Sequence, residues 1–192
     1  TFETNENRTF VANFIARYSI EALASEGGET SGSGVYTSGK MVQLVAFANE
    51  QFRFSGWYEA DTLLSSNSAI EIPAQSDRTI TANFIEQCSV VLQTNLPNSA
   101  IVTGAGVFDK GTTASVTATN QKGFMFENWM IDDKVISQVE TYEFVVNESV
   151  VIIANCSEIP SFTINAVANP TSGGMISGNG TFYENEPVSL SA

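Results

Sequence analysis

The chain has 192 residues, of which 43% are apolar and 15% charged, with 13 Phe, 5 Tyr and 2 Trp; that much burying material excludes a disordered polar chain. It contains no His, which excludes His-based triads, His general bases and His-ligated metals, and 21 acidic against 8 basic residues give a net charge of −13, a field that repels nucleic-acid phosphates and anionic lipid headgroups. The longest apolar runs, such as residues 150–154, fall far short of the ~20 residues of a membrane-crossing helix, so no direct membrane insertion is expected of this segment.

In chain order, the first recognisable stretch is Arg8-Thr9-Phe10-Val11-Ala12-Asn13-Phe14-Ile15. Tyr18, Ile20 and Ala22 then alternate with polar neighbours, as a half-buried strand requires. Gly27-Gly28, Gly32-x-Gly34 and Ser38-Gly39 break the chain where positive φ is needed. Val42, Leu44 and Ala46 form a second alternating strand, followed by Phe52-Arg53-Phe54-Ser55-Gly56-Trp57. A closing strand, Thr79-Ile80-Thr81-Ala82-Asn83-Phe84, puts Ile80, Ala82 and Phe84 on one face. No segment combines a 3.6-residue period with helix caps, so little helix is expected.

That order recurs. Gly104-Ala105-Gly106-Val107-Phe108, Phe124-Met125-Phe126-Glu127-Asn128-Trp129 and Val151-Ile152-Ile153-Ala154-Asn155-Cys156 each lie 72 residues beyond their counterparts. The stretch from Arg8 to Ile15 matches the end of a unit, 70 residues before Arg78-Thr79-Ile80-Thr81-Ala82-Asn83-Phe84-Ile85, while Phe162, Ile164, Gly178, Gly180, Phe182, Val188 and Leu190 match a beginning. The reading is therefore an end (1–17), two complete repeats (18–87 and 88–161) and the start of another (162–192). The expected fold is all-β: tandem modules of about 70–74 residues built from hairpins. A β-grasp-like α+β module, with its helix in residues 49–64, is the alternative.

With these elements in fixed order, the chain resembles the divergent internalin-B B-repeat family, the tandem modules of bacterial surface and secreted proteins. Cys156 departs from the pattern, standing where Phe14 and Phe84 place an aromatic. The resemblance implies an extracellular, secreted or surface-attached location. The leading reading is spacer or stalk repeats of a larger adhesin-like protein, partnered by neighbouring repeats of the same chain, and non-enzymatic because the sequence offers no nucleophile–base pair or metal cluster. A chain that opens on Thr1 is in keeping with a segment of something longer. The joint from Ala82 to Val90 contains no Gly or Pro, which suits a spacer that resists bending.

The alternative function is a module that binds a host or surface protein or a glycan through β-edges or exposed aromatics, with Trp57 and Trp129 as the stacking candidates. The competing reading makes both Trp residues core, since they recur in step with the strands. Gly32-x-Gly34 and Gly104-x-Gly106 lack the helix and third Gly of a nucleotide loop. Asp132-Asp133 and the residues from Glu140 to Glu143 lack the spacing of a calcium loop. Lys40, Lys110, Lys122 and Lys134 all lie among polar or turn residues, which argues against a buried isopeptide-forming Lys. No cofactor is called for. Cys88 and Cys156 occupy the positions of Tyr18 and Phe84, in the first and last strands of a unit, and a disulfide between them is expected if those positions touch; otherwise both are free, buried thiols.

Overall fold

The computed structural model describes residues 5–192, so residues 1–4 of the expected fragment 1–17 lie outside the described residues. The chain divides into two compact units, Thr1–Gln87 and Cys88–Ala192. The first holds β1 (Arg17–Ala24), β2 (Gly28–Ser31), β3 (Gly34–Thr37), β4 (Met41–Ala48), β5 (Phe52–Glu59), β6 (Thr62–Ser65), β7 (Ala69–Pro73) and the first part of β8 (Arg78–Thr94). The second holds the rest of β8, then β9 (Ala100–Thr103), β10 (Gly106–Asp109), β11 (Thr113–Asn120), β12 (Phe124–Ile131), β13 (Lys134–Ser137), β14 (Thr141–Val145), β15 (Val150–Glu158), β16 (Ser161–Ile164) and β17 (Gly180–Tyr183). There is no helix among the described residues, and residues 49–64 form the antiparallel pair β5–β6 instead of the helix of the β-grasp alternative.

In the first unit, one sheet runs β3-β1-β8-β5-β6 and a second runs β2-β4-β7. The alternation read from the sequence decides which side chains meet: Ile20, Val42, Leu44, Ala46, Trp57, Ile72, Ile80 and Ala82 form one buried cluster. The second unit repeats the plan, with β14-β11-β9 as its smaller sheet and a core that includes Val90, Val116, Ala118, Trp129, Ile152 and Ala154. The pairings are not all hairpins. β1 runs parallel to β8, with Ile20 opposite Arg78, and β15 runs parallel to β8, with Val150 opposite Val90. In each repeat, then, the opening and closing strands lie side by side and point the same way, which only a long connection permits.

The spacing Phe-x-Phe-x-x-Trp has a geometric reason. In a regular strand Phe54 and Trp57, three residues apart, would point to opposite faces. A bulge between Phe54 and Gly56 adds one residue, so that Phe54 faces Phe84 and Trp57 faces Ala82 across the ladder. Both rings then enter the core, with centroids 5.9 Å apart and planes at 60°. The second unit has the same bulge between Phe126 and Asn128, Trp129 facing Ala154, and a Phe126–Trp129 centroid separation of 5.5 Å.

Gly32 explains the Gly-x-Gly pattern. At φ 104°, a Cβ there would stand 2.2 Å from the carbonyl oxygen of Gln43; Gly104 and Gly178 stand in the same relation to Ser115 and Ser189, also at 2.2 Å. The first Gly of the pair thus lets the turn approach the next strand's backbone, and no ligand is needed to account for it.

The two repeats also differ in a concerted way. A Cβ at Gly28 would lie 2.3 Å from the Phe84 ring. In the second unit Ala100 takes the place of Gly28, opposite Asn120 as Gly28 is opposite Ala48, and Cys156 takes the place of Phe84. Removing the ring makes room for the methyl. Gly28→Ala is therefore expected to cost about 2 kcal/mol in thermal or denaturant unfolding, the overpacking range. In a Phe84→Cys background the same change is expected to cost less than about 1 kcal/mol. Equal costs in both backgrounds would separate the two positions energetically.

Candidate functional site

Trp57 and Trp129 are both fully buried, at 0% exposure, so neither can stack on a glycan or a partner side chain. The Nε1–H of Trp57 donates to the backbone carbonyl of Ser68 at 3.2 Å, and that of Trp129 to the carbonyl of Glu140 at the same distance. Each indole thereby fills the core and satisfies its one polar group against the chain 11 residues further on. The stacking candidates read from the sequence are core residues.

Cys88 and Cys156 are free thiols, 2% and 3% exposed. The expected disulfide is absent, and strand direction explains why. Val90 is opposite Val150 in a parallel pair, so continuing the register puts Cys88 level with Glu148 and Cys156 level with Leu96. Along the strands the two cysteines are then eight residues apart, or about 26 Å at ~3.3 Å per residue. A disulfide needs Cα atoms within about 7 Å. First and last strands do touch, but parallel pairing leaves the head of one and the tail of the other at opposite ends. Cys156 is held instead through its backbone, donating to Asn95 Oδ1 at 2.8 Å and accepting from Asn95 Nδ2 at 2.9 Å.

The acidic candidates have structural places. Asp132 and Asp133 have φ of 46° and 62°, and form the two-residue turn between β12 and β13. Glu140 accepts from Asn120 Nδ2 at 3.3 Å while its carbonyl takes the indole. Among the described residues no three His, Cys, Asp or Glu side chains converge as a metal site would require.

In the first unit Arg78 and Glu59 form a pair whose titration is shifted. Arg78, at the start of β8, forms two parallel hydrogen bonds of 2.8 Å to Glu59, at the end of β5. The arginine side chain is 20% exposed and the glutamate 39%. These hydrogen bonds hold the Glu59 carboxyl below its ordinary value and raise Arg78. The corresponding positions in the second unit are Ile131 and Val150, so an ion pair in one repeat is replaced by an apolar pair in the other. Sequence reading passed over this pair because one member lies outside the repeated motifs.

Two outcomes follow. Thiol reagent added to native protein is expected to react slowly or not at all, and the unfolded, unreduced chain to yield two free thiols; a yield of none in monomeric protein would restore the disulfide. Because the folded-state value of Glu59 is depressed, its contribution is complete above the unfolded carboxyl value of about 4.3 and is lost as pH falls through the folded value. Glu59→Gln is expected to remove that acid-side loss and to cost at most about 1 kcal/mol at neutral pH, given the solvent exposure of the pair. Unfolding of the variant and parent at pH 7 and pH 3 makes the comparison.

The two units repeat one arrangement of strands around a buried Trp. Comparison with known proteins finds the same two copies: the divergent InlB B-repeat domain matches residues 18–88 and again residues 90–160. No curated protein and no solved structure matches the chain. Two matched copies account for most of the sequence, and the chain belongs to the divergent InlB B-repeat family, a family of repeat domains of InlB-like bacterial surface proteins.

Proposed function

We propose that the two repeats are non-enzymatic spacer modules of a larger extracellular, secreted or surface-attached protein, whose task is to carry another domain away from its point of attachment. The observation that carries this reading is β8, which runs from Arg78 to Thr94 without a break. Its first part pairs with β1 and β5 of the first repeat, and its last part with β15 of the second. The stretch from Ala82 to Val90 contains no Gly or Pro and none of the Gly/Ser-rich composition that makes a connection flexible.

Burial of both Trp side chains also favours this over a binding module built on exposed aromatics. In small-angle scattering, a compact globule of this length has a radius of gyration near 16 Å; a spacer is expected to exceed that clearly. Inserting Gly-Ser-Gly-Ser between Gln87 and Cys88 is expected to broaden the distance distribution while each repeat keeps its unfolding transition. A compact value for the parent, or no change on insertion, would overturn the reading.

A further inference from the structure

Ile131 and Val150 stand where the first repeat has Glu59 and Arg78. In the second repeat a hollow of about 150 Å³ opens there, with Ile131, Phe144, Val146, Glu148 and Val150 among its lining residues. It adjoins a second depression that shares Ile131, Glu148 and Val150 and adds Asp132. Among the described residues no ion pair is formed by Glu148 or Asp132, nor by Lys134, the base nearest in sequence.

The first repeat shows what such a place can hold. There the residue at the position of Val150 is Arg78, whose side chain is four-fifths buried while its guanidinium is gripped in a bidentate pair by Glu59. An apolar floor under a carboxylate rim suits a side chain that is alkyl along its stem and cationic at its tip. The net charge of −13 would draw a basic partner toward it.

We propose that this hollow in the second repeat is a docking site for an arginine side chain of a partner protein. The methylenes lie on Ile131, Phe144 and Val150, and the guanidinium meets Glu148 and Asp132 at the rim. In the first repeat Glu59 at the corresponding position already holds the guanidinium of Arg78, so the same partner is expected to dock only on the second. The proposal is independent of the spacer reading, since a rigid array and a flexible one would present the hollow equally.

The test is a titration of the full 192-residue chain, ¹⁵N-labelled, with acetyl-Gly-Arg-Gly-amide, and with the Leu-centred peptide as control. The arginine peptide is expected to shift resonances of residues 131–133 and 144–150 and to leave residues 59–61 and 72–78 unmoved. Glu148→Gln, a change at an exposed site, is expected to weaken the response about fivefold, the size of an exposed charge pair. The double variant Ile131→Glu/Val150→Arg, which supplies the hollow with its own pair, is expected to abolish it. If that variant does not fold, the Glu148→Gln titration decides. Shifts of equal size in both repeats, a response unchanged by Glu148→Gln, an equal response to the leucine peptide, or no response would each overturn the proposal.

Discussion

The constraint on which each repeat depends is the burial of one tryptophan in a module of about 70 residues. A core so small gains a large share of its buried apolar area from a single indole, and truncating such a side chain typically costs about 3–5 kcal/mol. Placing the ring has consequences along the chain. The bulge before it is needed to turn Trp57 to the face that Phe54 occupies. The residue opposite must be small, and it is Ala82 in one repeat and Ala154 in the other. The indole nitrogen must find an acceptor, and the chain returns 11 residues later to offer a carbonyl. Three motifs that look separate in the sequence are one packing solution.

Around that fixed point the two repeats have diverged in pairs. Phe84 over Gly28 corresponds to Cys156 near Ala100, and the Glu59–Arg78 ion pair to Ile131 and Val150. Leu63, which would meet a Cβ at Gly56 at 2.5 Å, is replaced by Val135 where Asn128 stands at that glycine's position. Each exchange trades volume or charge between neighbours, as dense packing demands. The third exchange is imperfect, since Asn128 Oδ1 is buried without a hydrogen-bond partner, a cost the Gly of the first repeat does not bear.

Much of this was legible in the sequence because alternation is a local property. Val42, Leu44 and Ala46 are buried as their period requires, and so are Ile80, Ala82 and Phe84. Strand direction is not local. Nothing within 88–94 or 150–156 states that these strands run parallel, yet that fact alone decides that Cys88 and Cys156 lie at opposite ends of adjacent strands. The Trp side chains illustrate the same divide. Their recurrence marked them as important, and recurrence by itself does not distinguish a core position from an exposed binding position; the three-residue offset from Phe54 could have done so, because it makes sense only with a bulge.

The partial units show how little of a strand resides in its own residues. The stretch from Arg8 to Ile15 is nearly the same sequence as that from Arg78 to Ile85, yet it forms no strand, and Phe10 and Phe14 are 67% and 93% exposed where Ile80 and Phe84 are 0% and 9%. Likewise β16 and β17 pair Phe162 with Phe182 in the register of Tyr18 with Tyr36, but Val188 and Leu190, the counterparts of buried Val42 and Leu44, remain exposed. The hairpin-like contact, which is self-contained, forms in the fragment; the burial, which requires the Trp-bearing strand and the closing strand, does not. Strand propensity is the capacity to fit a pleated, half-buried surface, and in this repeat that surface exists only where β1, β5 and β8, or their counterparts, are present together.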